Sequence, residues 1–87
     1  EVEAVLHNHP KVLEAAVIGV EATGARAYMG EVVKAFVVRE EGEALTEAEV
    51  RRHCAESLPS YKVPQIVEFI DRLPRNPSGK VVKSQLQ

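Results

Sequence analysis

Residues 31–39 read EVVKAFVVR, and this stretch decides the fold. It is nearly continuous in Val, Ala and Phe, a composition that favours a strand. So few polar positions are expected where both faces of a strand are covered. Toward the N-terminus, residues 21–30 (EATGARAYMG) are a loop with Gly24 and Gly30 as its flexible points. Before it, residues 12–20 (VLEAAVIGV) form a second apolar, β-rich run. The two runs are adjacent and joined by a short connection, which predicts an antiparallel hairpin. Residues 1–9 place Val2, Val5 and Leu6 on one face of an amphipathic helix, stopped by Pro10.

Toward the C-terminus, residues 40–44 carry Gly42 and read as a turn. Thr46 then caps a helix, and Glu49 three residues later completes a capping box. Val50, Cys54 and Leu58 recur at a spacing of four and give a core-facing stripe, with Arg51, Arg52 and Glu56 outward. Pro59 and the SYKVP segment end that helix, and residues 65–71 (QIVEFID) make a third strand. LPRNPSGK follows as a Pro- and Gly-rich loop, and VVKSQLQ reads as a short closing helix. The order α-β-β-α-β-loop-α describes an α+β domain, a three-stranded mixed sheet with helices packed on it.

At 87 residues the chain is one domain. Its hydrophobic fraction is 45% but its aromatic fraction only 5%, so the core rests on Val, Leu, Ile and Ala. A net charge of -2 leaves no basic surplus to displace counterions, which argues against nucleic acid as a partner. Cys54 is the single cysteine and permits no internal disulfide, which fits a reducing, cytoplasmic location. No apolar run reaches the length of a membrane span and no signal peptide is visible. The sequence opens directly on a helical pattern, so residues 1–87 are expected to be one domain of something longer.

The chemistry concentrates after the third strand. Pro74 and Pro77 stiffen the loop that delivers Gly79 and Lys80, and Gly79 permits positive φ or a close backbone approach. Residues alone take this no further than a cationic tip on a stiffened loop, and a lone surface Lys is ordinarily a solvated charge. A phosphate-binding P-loop is excluded although Pro74-x-x-x-x-Gly79-Lys80 imitates its spacing. Pro74 replaces the first Gly, Val81 stands where a Mg²⁺-binding hydroxyl is required, and the two prolines lack N–H donors. His7 and His9, two apart on a helix, point to opposite sides; His53 and Cys54 also diverge. No metal site is predicted, and Cys54 on its apolar stripe serves as a small hydrophobe.

Four segments, EVEAVLHNHPKVLEAAVIGV, GEVVKAFVV, LTEAEVRRHCAESLPSYKVP and FIDRLPRNPSGKVVKSQL, cover almost the whole chain. In this order and spacing they resemble the C-terminal domain of the adenylate-forming superfamily, which includes acyl-CoA synthetases, luciferase and peptide synthetase adenylation domains. The resemblance implies a mobile lid of an acyl-CoA synthetase, an ATP-dependent acid:CoA ligase acting on a fatty acid, with Lys80 as the catalytic lysine of the adenylation step. It implies ATP, Mg²⁺ and coenzyme A in the complete enzyme, and none of them bound by this fragment alone, which is expected to be inactive. The implied partners are the N-terminal adenylation domain of the same chain, the carboxylic acid, coenzyme A and a lysine acetyltransferase acting at Lys80.

Within that resemblance Pro74, Ser78 and Gly79 are loop-positioning residues. Lys62, in the YKVP segment, is a contact for the phosphates of coenzyme A or a solvated Lys beside a Tyr-Pro turn. Arg75 either holds the loop or meets the nucleotide. Gly30-Glu31 matches a family signature and reads as a strand entry. The loop at 21–30 departs from the pattern, being longer and lacking the usual Pro-Asp. Two other readings stay open: a subdomain loading a carrier protein instead of free coenzyme A, and a non-catalytic α+β binding module.

Overall fold

A computed structural model describes residues 1–86, apart from the side chain of Arg26. Helix α1 spans Val2–His7, strand β1 Val12–Glu21, strand β2 Glu31–Arg39, helix α2 Glu47–Ala55 and strand β3 Ile66–Phe69. β2 is the middle strand, with β1 antiparallel on one edge and β3 parallel on the other. The α+β class and the mixed three-stranded sheet read from the sequence are therefore present. A parallel neighbour requires a crossover, and the segment carrying α2 supplies it between β2 and β3.

The apolar run of β2 has a direct physical reason. Its side chains alternate between two cores, one on each face of the sheet. Ala35 and Val37 face Leu6 of α1 and Val50, Cys54 and Leu58 of the α2 region. Phe36 and Val38 face Ala16, Leu73 and Leu86 on the other side. The register pairs Ala16 with Phe36 and Ala15 with Val37, and shifts between Val12 and Glu14. That irregularity turns Leu13 to solvent while Val12 stays in the first core.

α2 begins where its capping residues require. The Thr46 hydroxyl accepts from the Glu49 N–H at 3.2 Å, and the Glu49 carboxylate accepts from the Thr46 N–H at 3.0 Å. The first helix is shorter than the 1–9 expectation. Asn8 and His9 bond back to Val5 and Leu6 in tightened turns, and the residue before Pro10 is disfavoured from helix.

Three other expectations change. Residues 21–30 are not a plain loop, because Gly24–Met29 forms a 3₁₀ helix, closed at its base by the Ala22 N–H to Gly30 carbonyl bond of 2.7 Å. The third strand is trimmed to Ile66–Phe69, although the Gln65 and Ile70 N–H groups still bond to Val33 and Val37 of β2. The closing helix over 81–87 is reduced to one 3₁₀ turn, Lys83–Gln85, and Gln87 lies outside the described residues. Val81 and Val82 are drawn into a hairpin with Arg75 and Pro74, so too few residues remain to offset helix nucleation. Leu86 instead buries into the second core.

Candidate functional site

The PRNPSGKVV segment folds into a narrow hairpin that projects from the sheet. Arg75 and Val81 form an antiparallel bridge, and the Val82 N–H donates to the Pro74 carbonyl at 2.9 Å. Pro74 follows the buried Leu73 and stands at the hairpin base, while Val81 packs against the second core. Residues 75–80 are exposed.

Asn76 organises the tip. Its Oδ1 accepts from the Ser78 and Lys80 N–H groups, both at 3.0 Å. Its own N–H donates to the Lys80 carbonyl at 2.9 Å, and its carbonyl accepts from Gly79 at 2.8 Å. The backbone of Lys80 is thus held on both sides by one residue. Gly79 has φ +88°, a conformation that side-chain-bearing residues rarely adopt, and a Cβ there would meet nothing within 4 Å. Backbone conformation, not crowding, is why a glycine belongs at this position.

Of the residues singled out from sequence, Pro74, Arg75, Ser78, Gly79 and Lys80 come together in this hairpin. Ser78 contributes its backbone N–H to the Asn76 cap. Arg75 holds the loop: its Nη1 donates to the Gly79 carbonyl at 2.6 Å, and its Nη2 pairs with the Glu14 carboxylate on β1. Among the described residues the Lys80 ammonium has no hydrogen-bond or ion-pair partner, and the side chain is exposed.

Lys62 belongs to a different neighbourhood. Its ammonium pairs with the Glu1 carboxylate and lies 5.8 Å from the Tyr61 ring centroid. The hydrogen bond and charge of Glu1 raise the Lys62 pKa, and the same contact with Lys62 lowers that of Glu1. Nearby, Glu3 joins three elements: its Oε2 accepts from the Val17 N–H of β1 at 2.8 Å and meets Lys83 Nζ at 2.8 Å. Burial pushes the Glu3 carboxyl up, but Lys83 and the Val17 N–H outweigh it and hold the group below its usual range.

Two features escaped the sequence reading. Asn76 was not singled out, although Asn-Pro-Ser-Gly is a turn signature in which Asn caps the backbone two residues on. The other is the pairing of His9 with His53, whose rings meet edge to face at 4.8 Å between centroids. His9 lies just past the end of α1, and the divergence expected of His7 and His9 along one helix does not bear on its contact with His53 of α2. Among the described residues no three His, Cys, Asp or Glu side chains are grouped to hold a metal. Burial raises the Cys54 thiol above its ordinary value, which suits its place on the apolar stripe.

Comparison with known proteins agrees with this geometry. The chain is 44% identical, over all 87 of its residues, to the crotonobetaine/carnitine–CoA ligase of Proteus mirabilis strain HI4320, and spans 16% of that protein. It is 46% identical over its full length to a long-chain-fatty-acid–CoA ligase of Yersinia pestis, spanning 15% of it. The fold aligns with ATP-bound MatB from Rhodopseudomonas palustris at a TM-score of 0.88 and 41% identity, covering 98% of this chain and 16% of that one. The chain thus spans about one-sixth of the length of these relatives. Residues 1–80 match the AMP-binding enzyme C-terminal domain, a match that runs from the first helix through the hairpin to Lys80. With the mixed sheet, the two cores and the projecting lysine hairpin in the same continuous stretch, this chain belongs to the AMP-binding enzyme C-terminal domain family.

Proposed function

We propose that residues 1–87 are the mobile lid domain of an ATP-dependent acid:CoA ligase, and that Lys80 is the catalytic cation of its adenylation half-reaction. The reading is supported by one observation above the rest. Lys80 presents an ammonium with no partner among the described residues, at the tip of a hairpin whose backbone is held by Asn76 and Arg75. A solvated surface lysine has no fixed direction, whereas the held backbone here presents this charge at a defined place, where a neighbouring domain can use it.

The chemistry has two steps. A carboxylate oxygen attacks the α-phosphorus of ATP, the bond to the β-phosphate breaks, and pyrophosphate leaves with its electron pair. The thiolate of coenzyme A then attacks the acyl carbon, and AMP departs with the oxygen that bound it. The first step brings two anions together. A protonated amine on a long stem relieves that repulsion as a point charge between the acyl and phosphate oxygens. The second step has no such need, and the domain turns away for it. Mg²⁺ neutralises nucleotide charge when bound, and its ligands are assigned to the rest of the enzyme. The fatty-acid reading has the likeness to the Yersinia ligase in its favour, and the comparable likeness to the Proteus crotonobetaine/carnitine–CoA ligase keeps a different acid as the second reading.

The test is made in the complete enzyme, with the half-reactions assayed apart. Lys80→Ala is expected to lower acid-dependent pyrophosphate release by about 10²–10³-fold, while thioester formation from preformed acyl adenylate is retained. Lys80→Gln, which mimics the acetylated lysine, is expected to do the same, as it should if a lysine acetyltransferase silences this site. Equal loss of both halves, or of neither, overturns the assignment. The same assay over acids of increasing chain length checks the fatty-acid reading, which fails if short or cyclic acids are preferred.

A further inference from the structure

The hairpin that carries Lys80 has few ties to the body of the domain. At its base are the Pro74–Val82 hydrogen bond, the Arg75–Val81 bridge and the packing of Val81 on the second core. The Asn76 contacts are internal, so they set the shape of the tip but not its direction. One side chain links the tip to the sheet. The Arg75 guanidinium donates through Nη1 to the carbonyl of Gly79, the residue before the lysine, and through Nη2 to the carboxylate of Glu14. Glu14 stands on β1, sixty-one positions away in sequence, in a strand paired along most of its length with β2.

We propose that Glu14 and Arg75 form a strut that aims Lys80, making both of them positioning residues for the adenylation step. The proposal rests on the catalytic reading of Lys80 given above. A planar guanidinium with several donors spans a carbonyl and a carboxylate at once, which an ammonium at the same position does not do with fixed geometry. The strut therefore orients the Gly79 peptide against the rigid sheet, and Lys80 leaves the backbone from that peptide. Displacing a catalytic group by about 1 Å costs as much as about a hundredfold in rate. By contrast, an ion pair as exposed as this one (44% for the Arg75 side chain, 26% for Glu14) contributes little to folding. Catalysis and stability thus separate, and this makes the idea testable.

The experiment uses the complete enzyme with the variants Glu14→Ala, Glu14→Gln, Arg75→Ala and Arg75→Lys, and the double variant Glu14→Ala/Arg75→Ala. Glu14→Ala and Arg75→Ala are each expected to lower kcat for pyrophosphate release by about tenfold. KM for ATP, the melting temperature and the thioester half-reaction should stay near the parent values. Glu14→Gln keeps an acceptor oxygen and is expected to restore part of the rate; Arg75→Lys is not. The double variant should be no worse than Arg75→Ala, since Glu14 acts only through Arg75. Neither change should lower the rate further once Lys80 is already Ala.

The strut is overturned if Glu14→Ala and Arg75→Ala leave adenylation unchanged in an enzyme that Lys80→Ala disables. It is also overturned if they reduce both half-reactions and the melting temperature together, or act undiminished in the Lys80→Ala background. A failure of the catalytic reading looks different, because Lys80→Ala itself would then leave adenylation intact.

Discussion

At the scale of single residues, Asn76 does more to shape the site than any residue the motif spacing brought forward. It supplies one side-chain oxygen to two backbone N–H groups and makes two further backbone bonds across the tip. Such local side-chain caps substitute for secondary structure where the chain is too short to form any. Asn76→Ala is expected to lower adenylation in the complete enzyme by about tenfold, because the tip loses its shape. Asn76→Asp keeps the acceptor oxygen and should retain most of the rate, and single-turnover pyrophosphate release distinguishes the two. Gly79 and Ser78 were legible as loop formers, and so was Lys80 as the exposed cation. Arg75 was legible only as a choice between two roles, holding the loop or meeting the nucleotide, and its bond to the Gly79 carbonyl supports the first.

At the scale of elements, β2 and α2 were legible because their signals are local: an unbroken apolar run in one and a capping box in the other. The contact between α1 and α2 was not. His53 Nε2 of α2 lies 2.7 Å from the Val5 carbonyl of α1 and its ring meets that of His9, which the Lys11 N–H holds through Nδ1 at 3.0 Å. Burial lowers the His9 pKa from its ordinary value of 6.5, the charges of His53 and Lys11 add to this, and Glu49 opposes them. The unfolded chain therefore binds this proton more readily than the folded one. The His9 contribution to stability is complete above about 6.5 and is lost as pH falls through that value toward the depressed folded one. Urea midpoints at about pH 7.5 and about pH 5.5 should fall with acidification, and His9→Gln should flatten that dependence. The window lies above the range in which Glu3 takes up a proton, so the two groups do not overlap.

At the scale of the whole molecule, a body of 37 × 27 × 21 Å carries its proposed catalytic charge on an outward-pointing hairpin. Among the described residues there is no helix long and apolar enough to cross a membrane. Residues 1–87 expressed alone are expected to release no pyrophosphate from ATP with any acid, which a coupled phosphate assay checks. Turnover by the isolated domain would remove the need for a partner and with it the lid reading. The class of fold, the antiparallel hairpin, the capped helix and the identity of the projecting lysine were determined by sequence alone. Each depends on side-chain periodicity or turn chemistry acting over a few neighbouring residues. Tertiary structure alone decided that β3 lies beside β2 and not β1, that His9 meets His53 and that Arg75 reaches Glu14. Those contacts join residues dozens of positions apart, and no local pattern encodes them; they exist only once the two faces of β2 have gathered their cores.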